Sequence, residues 1–137
     1  MRFMLNSLAG PRSVWAFLSA VAVAATLAFV GAAHAAPFTW TGGAGDNKWE
    51  SPNNWSPTGV PGLNDDATIG AGVPAVTISN GNVTVKSLNL ARNLNVGTTR
   101  TFSVTTASIA GTITLADQSV LSGGTYTINA GGNFIFP

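Results

Sequence analysis

From Val76 onward the apolar residues fall in pairs two positions apart: Val76/Ile78, Val83/Val85, Leu88/Leu90, Leu94/Val96, Phe102/Val104, Ile113/Leu115, Tyr126/Ile128 and Phe134/Phe136. A spacing of two is the strand period. Thr77, Thr84, Asn89, Asn95, Ser103, Thr114 and Thr127 fill the intervening positions, so each short strand has one apolar and one polar face. Tyr126 falls on the apolar face and is expected in the core. Turn formers separate the pairs, as in Ser79-Asn80-Gly81-Asn82, Gly97-Thr98-Thr99 and Ala130-Gly131-Gly132-Asn133, and these residue types tolerate the left-handed backbone of tight corners. A weak internal repeat aligns Ile109–Leu115 with Ser122–Ile128 at an offset of thirteen.

Brief strands with small residues at the bends predict a solenoid, a short right-handed parallel β-helix in which each coil buries its inward residues against the next. The alternative is a β-sandwich or jelly roll, whose strands would usually run to about five or six residues. Before Val73 the pattern differs. The stretch from Phe38 to Gly72 is rich in Trp, Asn, Gly and Pro and reads as a turn-rich cap. The expected organisation is therefore a leader over residues 1–35, a Trp/Gly/Pro-rich N-terminal cap over 36–72, and β-solenoid coils over 73–137.

The leader reading rests on Arg2 and Arg12, which precede an uncharged run from Val14 to Val30, and on the small-x-small sequence Ala33-His34-Ala35. Together these form an export signal with cleavage before Ala36. An uncleaved membrane anchor is the rival, because the run approaches the roughly 20 residues that span a bilayer. Contact with a membrane is expected through this segment alone.

Removal of the leader changes the chemistry available. Over the whole chain 8% of residues are charged, none of the 137 is cysteine and one is histidine. That histidine, His34, departs with the leader, leaving Lys48, Lys86, Arg92 and Arg100 against Asp46, Glu50, Asp65, Asp66 and Asp117, a net charge of −1. Without His or Cys, a Ser-His-Asp triad, a Cys-His pair, a His-bearing metal site and a disulfide scaffold are all closed to it. So sparse a basic complement also excludes a nucleic-acid surface. Cofactors are not expected.

Trp40-Thr41-Gly42, then Trp49, Asn54-Trp55, Pro61 and Asp66-x-Thr68-Ile69 resemble the opening motif of exported bacterial β-helix surface proteins, the autotransporter passengers and adhesin-like proteins. In that family the motif follows the signal and leads into Gly- and Thr-rich strand repeats. The resemblance implies a non-catalytic module of a cell-surface or secreted adhesin, placed outside a Gram-negative-type bacterium or on its surface after passage through the periplasm. Surface glycans or neighbouring cell surfaces are the partners it implies. The chain reaches Pro137 without the long coil array or the C-terminal barrel of that family, so the solenoid is expected to be truncated, with an open last coil available for self-association.

Trp40, Trp49 and Trp55 carry two readings. As exposed aromatics they would stack on sugars, making the chain an extracellular carbohydrate-binding module; as buried ones they would plug the open end of the first coil, each covering about 150–250 Å². Capping is the preferred reading, since an uncapped solenoid exposes unpaired edges. Asp46-Asn47 and Asn64-Asp65-Asp66 offer oxygen ligands but match no calcium motif, and Asp and Asn in such turns bond to their own backbone. Asp65 and Asp66 could act as acid and base, but adjacent strand residues point to opposite faces. Glu50 and Asp117 are isolated. Lys86, Arg92 and Arg100 resemble the basic residues of polysaccharide lyases built on β-helices, the least favoured reading, and without an acidic calcium site it goes no further. Asn54-Trp55-Ser56 and Asn82-Val83-Thr84 match the glycosylation sequon, which arises easily in a chain rich in Asn and Thr.

Overall fold

The computed structural model describes residues 35–137, which fall within one compact unit. Residues 1–34, including Ala33, lie outside the described residues, whereas Ala35 and Ala36 stand at the head of the first strand. Among the described residues are ten strands, one 3-10 turn at Pro52–Asn54 and no α-helix. The strands are β1 (Pro37–Trp40), β2 (Trp55–Ser56), β3 (Asp66–Ile69), β4 (Val76–Ile78), β5 (Val83–Leu90), β6 (Leu94–Val96), β7 (Thr101–Ile109), β8 (Thr112–Leu115), β9 (Val120–Ile128) and β10 (Asn133–Ile135).

They form two sheets. One has six strands in the order β2-β1-β3-β5-β7-β9, and the other has four in the order β10-β8-β6-β4. Every pairing between these strands is parallel except that of β1 with β2. The chain alternates between the sheets as it climbs, which makes a parallel β-solenoid of about four turns. A sandwich of hairpins would show antiparallel ladders throughout.

Register sets the period. Val83 pairs with Phe102 and Phe102 with Leu121, a step of 19 residues; in the second sheet Leu94 pairs with Ile113 at the same step. The thirteen-residue offset is therefore not the coil repeat. It aligns Ile113 of β8 with Tyr126 of β9, which belong to different sheets, and the likeness reflects only the shared alternation of Thr with apolar residues.

The strands also merge more than their sequence suggests. Val83/Val85 and Leu88/Leu90 lie on the single eight-residue β5. Its ladder to β7 skips Lys86 and Thr105, and the ladder from β7 to β9 skips Thr105 and Gly124. At that point the inward alternation slips by one, giving two consecutive outward residues, Lys86-Ser87 and Thr105-Thr106. Each of these long strands thus bends into two facets, and the second sheet supplies a third.

Inward residues make one continuous core. Ile69, Val76, Ile78, Val85, Leu90, Leu94, Phe102, Ile109 and Ile113 are all fully buried. The ladder already includes β1 and β3, which precede the change of composition at residue 72. On the last coil the same inward positions are less covered: Tyr126 and Phe134 are half-buried, and Ile128 and Phe136 are 44% and 65% exposed. Tyr126 packs edge-on to Phe134 at 6.0 Å, and its partial burial pushes its phenol pKa up.

Corners are tight where one coil's turn sits on the next. Gly111 is buried between β7 and β8, and its N–H donates to the Leu90 carbonyl at 3.0 Å. A Cβ there would lie 1.9 Å from the Arg92 carbonyl oxygen, a contact that only backbone movement relieves. Gly111→Ala is expected to lower stability by about 1–3 kcal/mol through this overpacking, read as a reduced urea midpoint with an unchanged slope.

Candidate functional site

Two regions carry the residues singled out above: the aromatic plug at the N-terminal end and the polar faces of the coils. The plug is built by the segment between β1 and β3. Trp40 ends β1, Trp55 begins β2, and the cross-strand pairing of β1 with β2 places them directly opposite each other. Trp49 enters from the other sheet, where the Lys48 position bridges Thr77 of β4, the Trp49 N–H donates to the Thr77 carbonyl and the Thr77 N–H to the Asn47 carbonyl, both at 2.9 Å.

The three indoles pack edge to face. Trp55 lies 5.0 Å from Trp40 and 4.7 Å from Trp49, and Trp49 lies 5.8 Å from Phe102. All three are at most 2% exposed, so none offers a ring face on which a sugar could stack. Trp55 Nε1–H donates to the Trp49 carbonyl at 2.8 Å, whereas the Trp40 and Trp49 indole N–H groups have no hydrogen-bond partner among the described residues.

The residue that organises this loop is Asn54, fully buried and polar. Its amide nitrogen donates to Asp46 Oδ1 at 2.7 Å and to the Lys48 carbonyl at 2.9 Å, and its amide oxygen accepts from the Ala44 N–H at 2.8 Å. Its backbone carbonyl accepts from the Thr41 N–H at 2.7 Å and the Thr41 hydroxyl at 3.0 Å. In the sequence Asn54 belongs to a motif and to a sequon, neither of which assigns it a structural role. With both amide hydrogens donated and the amide oxygen accepting, the burial of this polar side chain is compensated.

Asp46, Glu50, Asp65 and Asp66 are similarly engaged. The Ser51 hydroxyl, the Lys48 N–H and the Asn54 amide all donate to Asp46 and hold its carboxyl down at about 2 from an ordinary 3.8. Glu50 reaches the turn after β4, where it accepts from the Ser79 N–H at 2.7 Å and from the Asn80 N–H. Asp65 accepts from Ala36 and Gly62, while Asp66 accepts from the Ser87 hydroxyl at 2.6 Å. The two neighbouring carboxylates thus serve different partners. Lys86 lies 3.8 Å from Asp66; Arg92 occupies the turn after β5 and Arg100 the turn before β7. Among the described residues no three His, Cys, Asp or Glu side chains converge as a metal site.

The polar positions sort onto the three facets by register. Thr84, Ser103 and Ser122 align on one, and Thr77, Asn95 and Thr114 on another. The longest array is on the facet between them in the chain. There Thr39, Thr68, Asn89, Ser108 and Thr127 form one column, and Asp66, Ser87, Thr106 and Thr125 form the column beside it. Successive rungs are about 4.8 Å apart and the columns about 7 Å apart. The outward Thr and Asn were legible in the sequence, but their alignment needed the register of the ladders.

Comparison with known protein families, with characterised proteins and with solved structures finds no match for this chain.

Trp49→Ala is expected to cost about 3–5 kcal/mol in a denaturant titration, the range for emptying a large aromatic site in a core. Trp55→Phe should cost more than Trp40→Phe, because only the former strands a buried carbonyl acceptor. Asp46 sets an acid limit: with its carboxyl depressed, its contribution is complete above the ordinary aspartate value of 3.8 and disappears as pH falls toward about 2. Melting temperatures recorded between pH 5 and pH 2 should therefore fall less steeply in Asp46→Asn than in the native chain.

Proposed function

We propose that this chain is an exported, non-catalytic β-solenoid module of an adhesin or passenger-type surface protein, and that its working surface is the double column of hydroxyl and amide side chains on the longest facet. The observation that supports this reading is the in-register array from Thr39 to Thr127 with its neighbour from Asp66 to Thr125. Side chains repeated along a rigid stack at a fixed spacing present many weak hydrogen-bonding positions at once, and such positions gain strength through multivalency when the partner is itself repetitive. A glycan-coated cell surface has that character. With acidic and basic residues so few, such contact relies on hydroxyl and amide groups rather than on charge.

The non-catalytic part of the proposal rests on residues 36–137 having neither His nor Cys, and on the engagement of Asp46, Glu50, Asp65 and Asp66 in holding turns. A carbohydrate-binding module that stacks sugars on the Trp cluster would need those rings at the surface.

Adhesion to a glycan array is the test. The exposed pair Thr106→Lys and Ser108→Lys should reduce retention roughly tenfold or more, equivalent to about 1.4 kcal/mol, with the far-ultraviolet spectrum unchanged. Unaltered retention rejects the facet as the working surface. Loss of retention in a folded Trp40→Ala, Trp55→Ala variant, with the lysine pair still binding, would instead identify the aromatic cluster as a sugar site.

A further inference from the structure

Ala36 is the residue just before β1, and it is held from both sides. Its N–H donates to Asp65 Oδ1 at 3.0 Å, and its carbonyl accepts from the Asp66 N–H at 3.0 Å. Pro37 has no N–H, so Ala36 carries the last backbone donor ahead of Phe38. The acceptor is fixed in place. Asp65 Oδ2 accepts from the Gly62 N–H at 2.8 Å, the Asp65 N–H donates to the Gly62 carbonyl at 2.9 Å, and the Asp65 carbonyl accepts from the Lys86 N–H at 3.0 Å. A carboxylate anchored in this way and aimed at one backbone nitrogen binds a cationic donor more strongly than a neutral amide. The nearest other charges are engaged with each other and with Ser87: Asp66 accepts from the Ser87 hydroxyl and lies 3.8 Å from Lys86 Nζ.

The nitrogen aimed at Asp65 is the one that the Ala33-x-Ala35 pattern marks as a new chain end. We infer that Asp65 is the receptor for an α-ammonium group created by cleavage between Ala35 and Ala36, so that removal of the leader adds a charge-assisted clamp between the start of β1 and the turn ahead of β3. The inference rests on the export reading. A signal-type endopeptidase adds water across the Ala35–Ala36 peptide bond; the C–N bond breaks, Ala35 departs as a carboxylate, and the Ala36 nitrogen takes up a proton to become an ammonium. That nitrogen donated one N–H as an amide and donates up to three, with a positive charge, as a chain end. Both groups are half-buried, which screens the pair less than open solvent would.

The core formed by the described residues runs from Phe38 to Phe134, so a chain beginning at Ala36 carries all of it. The full-length chain, produced with its leader in a bacterial host, is first sequenced from the N-terminus after export. A mature product beginning at Ala36 is expected, and any other start overturns the inference. Chains beginning at Ala36 and at Ala35 are then compared in urea at pH 6. The Ala36 chain should have a folding constant roughly threefold higher, within the range of partly exposed ion pairs. The advantage should vanish in Asp65→Asn, and in the native sequence should fade above the α-amino range of about 7.7–8.0. Equal stability of the two chains overturns the clamp, as does an advantage that persists at pH 10. The pH comparison decides the matter even if Asp65→Asn does not fold. Failure of the glycan test with this coupling intact sinks the adhesive reading alone.

Discussion

Everything in this molecule depends on the parallel register of its coils, a step of 19 residues from β5 to β7, from β7 to β9 and from β6 to β8. In a parallel stack the backbone of a strand is satisfied by its predecessor and successor, and its inward side chains touch those of the same two neighbours. The step therefore fixes three things together: which N–H meets which carbonyl, which apolar residues share a layer, and which polar residues line up on the outside. Where the step changes, the structure changes with it. From β3 to β5 it lengthens to 21 residues, as Asp66 pairs with Ser87, and from β1 to β3 it reaches 29, as Pro37 pairs with Asp66. The long first step is the segment that folds over the end of the core and carries the tryptophans.

That end is closed by a combination of apolar volume and polar satisfaction. Indoles alone would fill the space, but the loop that delivers them must turn sharply several times, and each turn leaves backbone groups to be matched. Asn54, Asp46 and Glu50 meet this need. Asn54 ties the Gly42–Lys48 turn to β2, Asp46 gathers three donors on its carboxylate, and Glu50 fastens the loop to the turn after β4. The polar residues of a Trp-rich segment are thus as necessary to the plug as its rings.

The strand period was plain in the sequence because alternation is a local property, and pairs such as Val83/Val85 or Leu94/Val96 record it within three residues. Parallel stacking was legible too, from the small residues at the corners, although β5, β7 and β9 run longer than the apolar pairs suggest. The coil length was not. Val83, Phe102 and Leu121 occupy the same inward site in successive coils yet differ in shape, because a site lined by apolar neighbours accepts any residue of suitable volume. Thr-apolar-Thr, by contrast, occurs on more than one facet, and so Ile113 and Tyr126 imitate a repeat that the ladder does not contain. The bend at Lys86, Thr105 and Gly124 escaped notice because three unlike residues share it. Asn54 is not legible because an asparagine in a Pro- and Gly-rich stretch looks like any turn residue until its side-chain partners, six, eight and ten positions away, are in place.

The aromatic residues are unevenly distributed along the stack. Trp40, Trp49 and Trp55 are the tryptophans of the described residues and sit together at the first coil, whereas the lone tyrosine, Tyr126, lies on the last. A chain beginning at Ala36, which lacks Trp15, thus holds two optical reporters at opposite ends of one axis. Indole emission follows the plug and phenol absorbance follows the far coil. If the coils fray from the less covered end, the phenol signal changes before the indole signal, and the separation between the two midpoints measures how cooperatively a stack of about four turns holds together.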